Sequence, residues 1–150
     1  NIGSFTRGGE RKIIHIKNNI QDFKFLPLIC YEIIYSGNLT KNNDYDFIIN
    51  ISEDGWFGKS VGPKQHFSHS IFRAIEHNTF LVRSANKGIS AIINNKGEVV
   101  KSLNLNEAGH IQFEVPLLKN ENRNKNDLIF FVLLFTYIFI FYLNKKNNDK

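Results

Sequence analysis

The only cysteine of this 150-residue chain closes an apolar run, and a glutamate stands two residues beyond it: Phe25-Leu26-Pro27-Leu28-Ile29-Cys30-Tyr31-Glu32. A cysteine in such a place has two uses. It packs as a small hydrophobe in a core, or it serves as a thiolate nucleophile. Nucleophiles are favoured where a strand ends and the chain turns, because the side chain then emerges from a rigid support. On extended backbone Glu32 would share the face of Cys30, where a carboxylate can act as a base or hold a partner in place. Alone it disfavours the thiolate, so a cation is required nearby, and no lysine of the chain is an obvious candidate.

A second cluster follows the next long apolar run. Asn50 to Gly58, NISEDGWFG, sets acidic and aromatic residues at a strand end. Trp56 and Phe57 either pack beneath a loop or form a platform for an apolar substrate beside the nucleophile. On the segment after it, His66, Ser70, Arg73 and His77 make a polar stripe at helical spacing. His66 and His69 have one metal-ligand spacing, but no second cluster supplies further ligands at a recognisable interval. Arg73 and Glu76 suit a structural ion pair, on the helix surface or buried.

The elements that must position these residues follow from period and punctuation. Strands are predicted at Ile13–Ile16, Leu26–Glu32, Phe47–Ser52, Phe80–Ala85, Ile89–Ile93, Val99–Ser102 and His110–Val115. A helix is predicted at Pro63–His77, with Phe67, Ile71, Ala74 and Ile75 on one face. Ser36–Asp46 reads as a polar connection whose later part begins a short helix, and Asn94–Gly97 as a hairpin turn. Strands interrupted by a helix, then hairpin-like strands, give a mixed sheet of the α/β or α+β kind.

The net charge of +5 is scattered among asparagines without a basic stripe interleaved with aromatics, which argues against nucleic-acid binding. One cysteine allows no internal disulfide. The absence of methionine and the interior-like opening residues suggest the C-terminal part of a longer protein. Leu128 to Leu143 is an uncharged apolar run without a polar face, which favours a membrane span over a core helix. As a helix it reaches about 24 Å against a hydrocarbon core of roughly 30 Å, so Tyr142 and the following lysines would anchor it. Three basic residues flank each end, so charge gives no orientation.

Taken in order, PLICYE, FIINISEDGWFG, GPKQH and FRAIEHNTFLVRSANKGISAII resemble the carbon–nitrogen hydrolase (nitrilase) superfamily over residues 5 to 118. With the final apolar segment they resemble its bacterial-envelope branch, the apolipoprotein N-acyltransferases. The resemblance implies a partial αββα sandwich at 1–118, a polar linker at 119–127, a transmembrane helix at 128–143 and a polar tail at 144–150. It implies a catalytic domain facing the periplasm from the inner membrane, with no metal or cofactor. The implied reaction moves an acyl chain from a phospholipid, through a cysteine thioester, to the amine of a lipoprotein's N-terminal diacylglyceryl-cysteine.

Cys30 matches the family's nucleophile and Glu32 its supporting glutamate. The Tyr31 N–H would help hold the oxyanion, and Trp56 and Phe57 match aromatic positions near the acyl-binding cleft. The family's glutamate base and lysine lie further upstream of the cysteine than this chain reaches. Glu10, Lys12, Lys17 and Lys24 do not sit in the lysine motif. The chain alone is therefore expected to be inactive. Glu53 stands where the family usually has asparagine. A membrane-anchored nitrilase-type amidohydrolase is the alternative enzyme, and a non-catalytic tethered binding module the alternative outside enzymes.

Overall fold

Short apolar runs broken by one amphipathic segment become a six-stranded mixed sheet with a helix against it. The computed structural model describes residues 6, 8–37, 39–41, 43–118 and 126–148. The strands are β1 (Ile14–Lys17), β2 (Asp22–Ile29), β3 (Phe47–Glu53), β4 (Phe80–Asn86), β5 (Ser90–Ile93) and β6 (Val99–Leu103), side by side in that order. The β2–β3 and β3–β4 pairs are parallel; the others are antiparallel. Helix α1 (Gly62–Glu76) makes the β3–β4 crossover.

Two parallel pairs in succession place the C-terminal ends of β2, β3 and β4 on one sheet edge, where sites form in such sheets. Pro27 is tolerated in β2 because β1 pairs only with Asp22–Phe25, so beyond Phe25 that side of the strand has no ladder from β1. The core gathers Leu26, Leu28, Ile48, Leu81, Ala91 and Ile93 from the strands with Ala74 of α1, and Phe67 and Ile71 pack against it. On the other side of β2 and β3, Phe23, Phe25 and Phe47 touch ring to ring, while Ile29 and Ile51 are more than half exposed. Apolar residues on both faces are the pattern of a sheet meant for two layers.

Four expectations change. Strand β2 stops at Ile29, and Cys30–Ile34 forms a 3-10 segment instead of more strand. The cause is Cys30 itself, whose φ of +48° turns the chain out of the sheet. The described residues of 36–46 carry no helix. His110–Val115 forms no strand: Ile111, Phe113 and Val115 alternate half-buried with exposed neighbours, which produced the period-two pattern. Phe113 stacks on Phe80 at 6.1 Å, and Lys101 Nζ donates to the Gln112 carbonyl at 2.8 Å, so the segment is held by side chains without a ladder. Finally, Ile75, expected on the apolar face of α1, is exposed, while His66, Ser70, Arg73 and His77 are buried. The hairpin turn at Asn94–Gly97 forms as read, with Gly97 N–H donating to the Asn94 carbonyl at 3.0 Å.

The chain divides into two units, Asn1–Asn120 and Glu121–Lys150. In the second, α2 runs from Asn126 to Asn148, past both ends of the uncharged run, because its flanking asparagines and lysines continue the helix. Its length of about 34 Å exceeds the shorter figure reached from the apolar residues alone. Among the described residues it is the one helix long and apolar enough to cross a membrane by length and composition. Of the expected linker at 119–127, residues 119–125 lie outside the described residues, as do 149–150 of the tail.

Candidate active site

The left-handed backbone at Cys30 is rare for a residue with a side chain and costs on the order of 1–3 kcal/mol, so its neighbours must enforce it. Glu32 does so from one side. Its Oε2 accepts the Ile29 N–H at 2.7 Å, closing the turn over the cysteine, and its Oε1 accepts from Arg11 Nε at 3.2 Å. Arg11 also donates to the Leu39 carbonyl at 3.1 Å. Because Glu32 lies in the 3-10 segment and not on extended strand, its side chain braces the elbow backbone.

From the other side, the Cys30 carbonyl meets Asn50 Nδ2 at 3.3 Å and His66 Nε2 at 3.3 Å. Asn50 Nδ2 also reaches the Leu28 carbonyl at 3.0 Å. Its Oδ1 accepts from Arg83 Nη1, and since guanidinium only donates, this fixes which way the amide points. Asn50 and Arg83 face each other across the β3–β4 register.

Beneath the elbow lies Asp54. Its Oδ1 accepts from Ser52 Oγ at 2.7 Å and meets His66 Nδ1 at 2.9 Å; its Oδ2 accepts from Arg83 Nη2 at 2.7 Å. The Asp54 and Arg83 side chains have no exposed surface. Burial by itself pushes the Asp54 carboxyl up. The Ser52 hydrogen bond, the Arg83 charge and the His66 hydrogen bond outweigh it and hold the group below the ordinary carboxylate value. Burial lowers Arg83 from its ordinary value, with Asp54 acting against that shift. Arg83 also donates from Nε to the Ile89 carbonyl at 3.2 Å.

Cys30 is partly buried, with Ser52 Oγ 3.7 Å from its Sγ. The single hydroxyl proton of Ser52 goes to the much closer carboxylate of Asp54, leaving its lone pair toward the thiol. Tyr31, Phe57, Gly62, Gln65, His66, Ser68 and His69 line a cleft of about 330 Å³, and the His66 ring lies 5.5 Å from Tyr31 and 5.6 Å from Phe57. The fold thus brings Cys30, Tyr31 and Glu32 together at the elbow, and Phe57 joins Tyr31 at the cleft. Trp56 is 86% exposed, so it does not pack beneath the loop. Glu53 accepts from Gly55 N–H of its own loop at 2.7 Å and from Asn86 Nδ2 at the end of β4.

His66 meets protein acceptors with both ring nitrogens. The cations sought near Cys30 are arginines: Arg11 on Glu32 and Arg83 below. Glu10, Lys17 and Lys24 pair instead with Lys41, Asp22 and Asp44. The signal for Asn50, Ser52 and Asp54 was present as polar residues at period two along β3 and just past its end, and for Arg83 as a charge inside β4.

Residues 4–120 match the carbon–nitrogen hydrolase family. Relatives named apolipoprotein N-acyltransferase include one from Rickettsia prowazekii, 47% identical over 72% of this chain and 22% of its own length. Another, from Rickettsia bellii, is 39% identical over 95% of this chain and 29% of its own length. The chain thus spans less than a third of the length of these curated relatives. Among solved structures, a CN-hydrolase superfamily protein from Xanthomonas campestris with an arsenic adduct in its active site superposes with a TM-score of 0.54. It is 18% identical, covering 69% of this chain and 43% of that one. A Saccharomyces cerevisiae member of branch 10 of the nitrilase superfamily gives 0.50 at 16% identity, over 69% and 40%. These likenesses show a shared fold.

Proposed function

This chain belongs to the carbon–nitrogen hydrolase family, and from that premise we propose that it carries the nucleophile of a membrane-bound apolipoprotein N-acyltransferase. The observation that carries the reading is Cys30, partly buried at φ +48° on an elbow braced by Glu32, Asn50 and His66. A core cysteine needs no such elbow. Relatives named for this activity, 39–47% identical, support the choice of acyl transfer within the family.

In the first step the Cys30 thiolate attacks the ester carbonyl of a phospholipid. The new C–S bond forms, the ester C–O bond breaks, and the lysophospholipid oxygen leaves with the proton that the general base took from the Cys30 thiol. The Tyr31 N–H stabilises the oxyanion between these events. In the second step the free amine of a lipoprotein's N-terminal diacylglyceryl-cysteine attacks the thioester. The amide C–N bond forms, the thioester C–S bond breaks, and the proton lost by the amine restores the Cys30 thiol. Tyr31 and Glu32 serve the site differently: Tyr31 through its backbone, Glu32 by holding the turn. Phe57, together with the exposed Trp56, offers apolar surface to the acyl chain. The general base and lysine of the family pattern lie in the upstream part of the whole protein. Helix α2 is the membrane anchor, with the elbow on the periplasmic side of the inner membrane.

The test is the intact mass of the full-length protein after incubation with phospholipid in detergent, beside a Cys30→Ser variant. An added acyl mass, removed by hydroxylamine and absent from the variant, is expected; its transfer to a diacylated peptide with a free N-terminus completes the reaction. A chain released to water and not to the peptide would favour the anchored amidohydrolase. No acyl mass on a folded wild type would overturn the first step.

A further inference from the structure

The mechanism above uses the Tyr31 N–H but leaves unused the buried cluster directly beneath it. Among the described residues every peptide bond is trans, so the Cys30 carbonyl and the Tyr31 N–H lie in one plane and point in opposite directions. Whatever holds that carbonyl therefore aims that N–H. Asn50 Nδ2 and His66 Nε2 both hold it, each at 3.3 Å, and both side chains are at least 98% buried, at 0% and 2% exposure.

These holders are themselves held. Arg83 Nη1 fixes the Asn50 amide; Asp54 Oδ1 and Arg83 Nη2 stand 2.9 and 3.2 Å from His66 Nδ1. To donate to the carbonyl, His66 must carry a proton on Nε2. The imidazolium supplies it while keeping Nδ1–H on Asp54; a neutral ring with its proton on Nε2 also supplies it, with Nδ1 accepting from Arg83 at the loss of the Asp54 hydrogen bond. In both, Nε2 is the working atom and the pair below sets the ring's direction.

We propose that His66 and Asn50 are positioning residues which, by gripping the Cys30 carbonyl, aim the Tyr31 N–H at the oxyanion formed during attack by Cys30. The inference rests on the nucleophile and oxyanion roles given above, but not on phospholipid as the donor. It assigns the Asp54–Arg83 pair a purpose as well: to lock the two donors and not to touch substrate.

The test separates two reactions of the same thiol in the full-length protein in detergent. Acylation by p-nitrophenyl hexanoate builds an oxyanion; alkylation by iodoacetamide, a displacement at saturated carbon, does not. The side-chain amide of glutamine reaches the place of a histidine's Nε2, whereas that of asparagine reaches only the place of Nδ1. His66→Asn is expected to slow the nitrophenol burst by about 10- to 100-fold, short of the 10²–10³ for outright loss of an oxyanion donor. His66→Gln should retain most of the burst, and Asn50→Leu should resemble His66→Asn. In all three, alkylation should change by less than about twofold, because no oxyanion forms.

A parallel fall of burst and alkylation would overturn the proposal, since the cluster would then only maintain the elbow or the thiolate. So would the reverse order, with His66→Asn active and His66→Gln slow, because contact with Asp54 would then be what matters. A wild type that is alkylated yet gives no burst would overturn the oxyanion role itself. A wild type that accepts the nitrophenyl ester but takes nothing from phospholipid would remove the lipid donor and leave the positioning role standing.

Discussion

Arg83 and Arg73 are both more than nine-tenths buried, yet the networks around them are built differently. Arg83 meets a carboxylate with no exposed surface, and Asn50 and the Ile89 carbonyl take other donors. Arg73 meets Glu76, whose side chain is 34% exposed, and donates to the Tyr35 carbonyl. Glu76 in turn accepts the Gly37 N–H at 2.8 Å. The second network ties the chain leaving the elbow to α1 and opens onto water. The first is sealed and converges on the Cys30 peptide. Desolvating an ion pair costs several kcal/mol per ion, and that cost is met here where the backbone is strained and chemistry is assigned. An anchoring network can stay wet and still anchor.

The comparison breaks most readily at the arginines. Arg83→Leu leaves Asp54 charged and buried without its partner, which is expected to cost about 3–5 kcal/mol in urea unfolding. Arg73→Leu removes a hydrogen bond to a carbonyl and a part-exposed pair, with an expected loss of about 1–2 kcal/mol. Equal losses would mean that the two networks do not differ in kind.

A smaller effect is expected from shape. Gly88 lies in the turn after β4, and a Cβ there would stand 2.6 Å from Asp54 Cγ and 2.8 Å from Ala85 Cβ. Neither neighbour can yield easily, since one is a fully bonded buried carboxylate and the other a short side chain. Gly88→Ala should therefore destabilise the protein by about 1–3 kcal/mol. Its unfolding midpoint and Cys30 acylation rate should both fall. A midpoint unchanged from wild type would show that the floor of the site is softer than its hydrogen bonds suggest.

How much of this was legible beforehand depends on which signal a residue carried. The sheet was visible because β2, β3 and β4 are nearly continuous apolar runs, as strands covered on both faces are. The elbow was half visible: a strand ending near Cys30 was foreseen, but a left-handed cysteine leaves no mark in residue type. Glu32 was consequently set on the wrong kind of backbone. Helix α1 was found by its period, yet its inward face could not be. Hydrophobicity ranks Ile75 inside and Arg73 outside, whereas Arg73 is drawn in to donate to the Tyr35 carbonyl beyond the elbow and Ile75 is left exposed. Arg11 and Arg83 are distant in sequence from what they hold, so only folding brings them to it.

Acid should expose the sealed network through Asp54. Asp54 titrates below the ordinary carboxylate value in the fold, so the unfolded chain binds a proton more readily. Its stabilisation is complete above the unfolded value of about 3.9 and is lost as pH falls through the lower folded value. Unfolding free energy should therefore decline below pH ~4 in the wild type. In Asp54→Asn, already less stable at neutral pH, that part of the decline should be missing. Identical acid limbs in the two proteins would contradict the assignment.

The smallest effect reads the field between the networks. His69 lines the cleft on the same helix, and burial first, then Arg73, then His66 lower its pKa from the ordinary histidine value. A nuclear magnetic resonance titration of the ring should give a midpoint below about 6.5. The sign follows: the unfolded chain takes the proton first, so charging His69 opposes folding as pH falls through that range. Arg73→Gln should move the midpoint back up, and His66→Gln should move it up by less. If the two responses were reversed, the cleft would feel the sealed network more than the wet one. A midpoint at or above the ordinary value would mean that His69 is solvated well enough to escape both. With the expected order, a neutral imidazole faces the cleft at neutral pH, and the charge nearest in effect belongs to the anchoring arginine and not to the elbow.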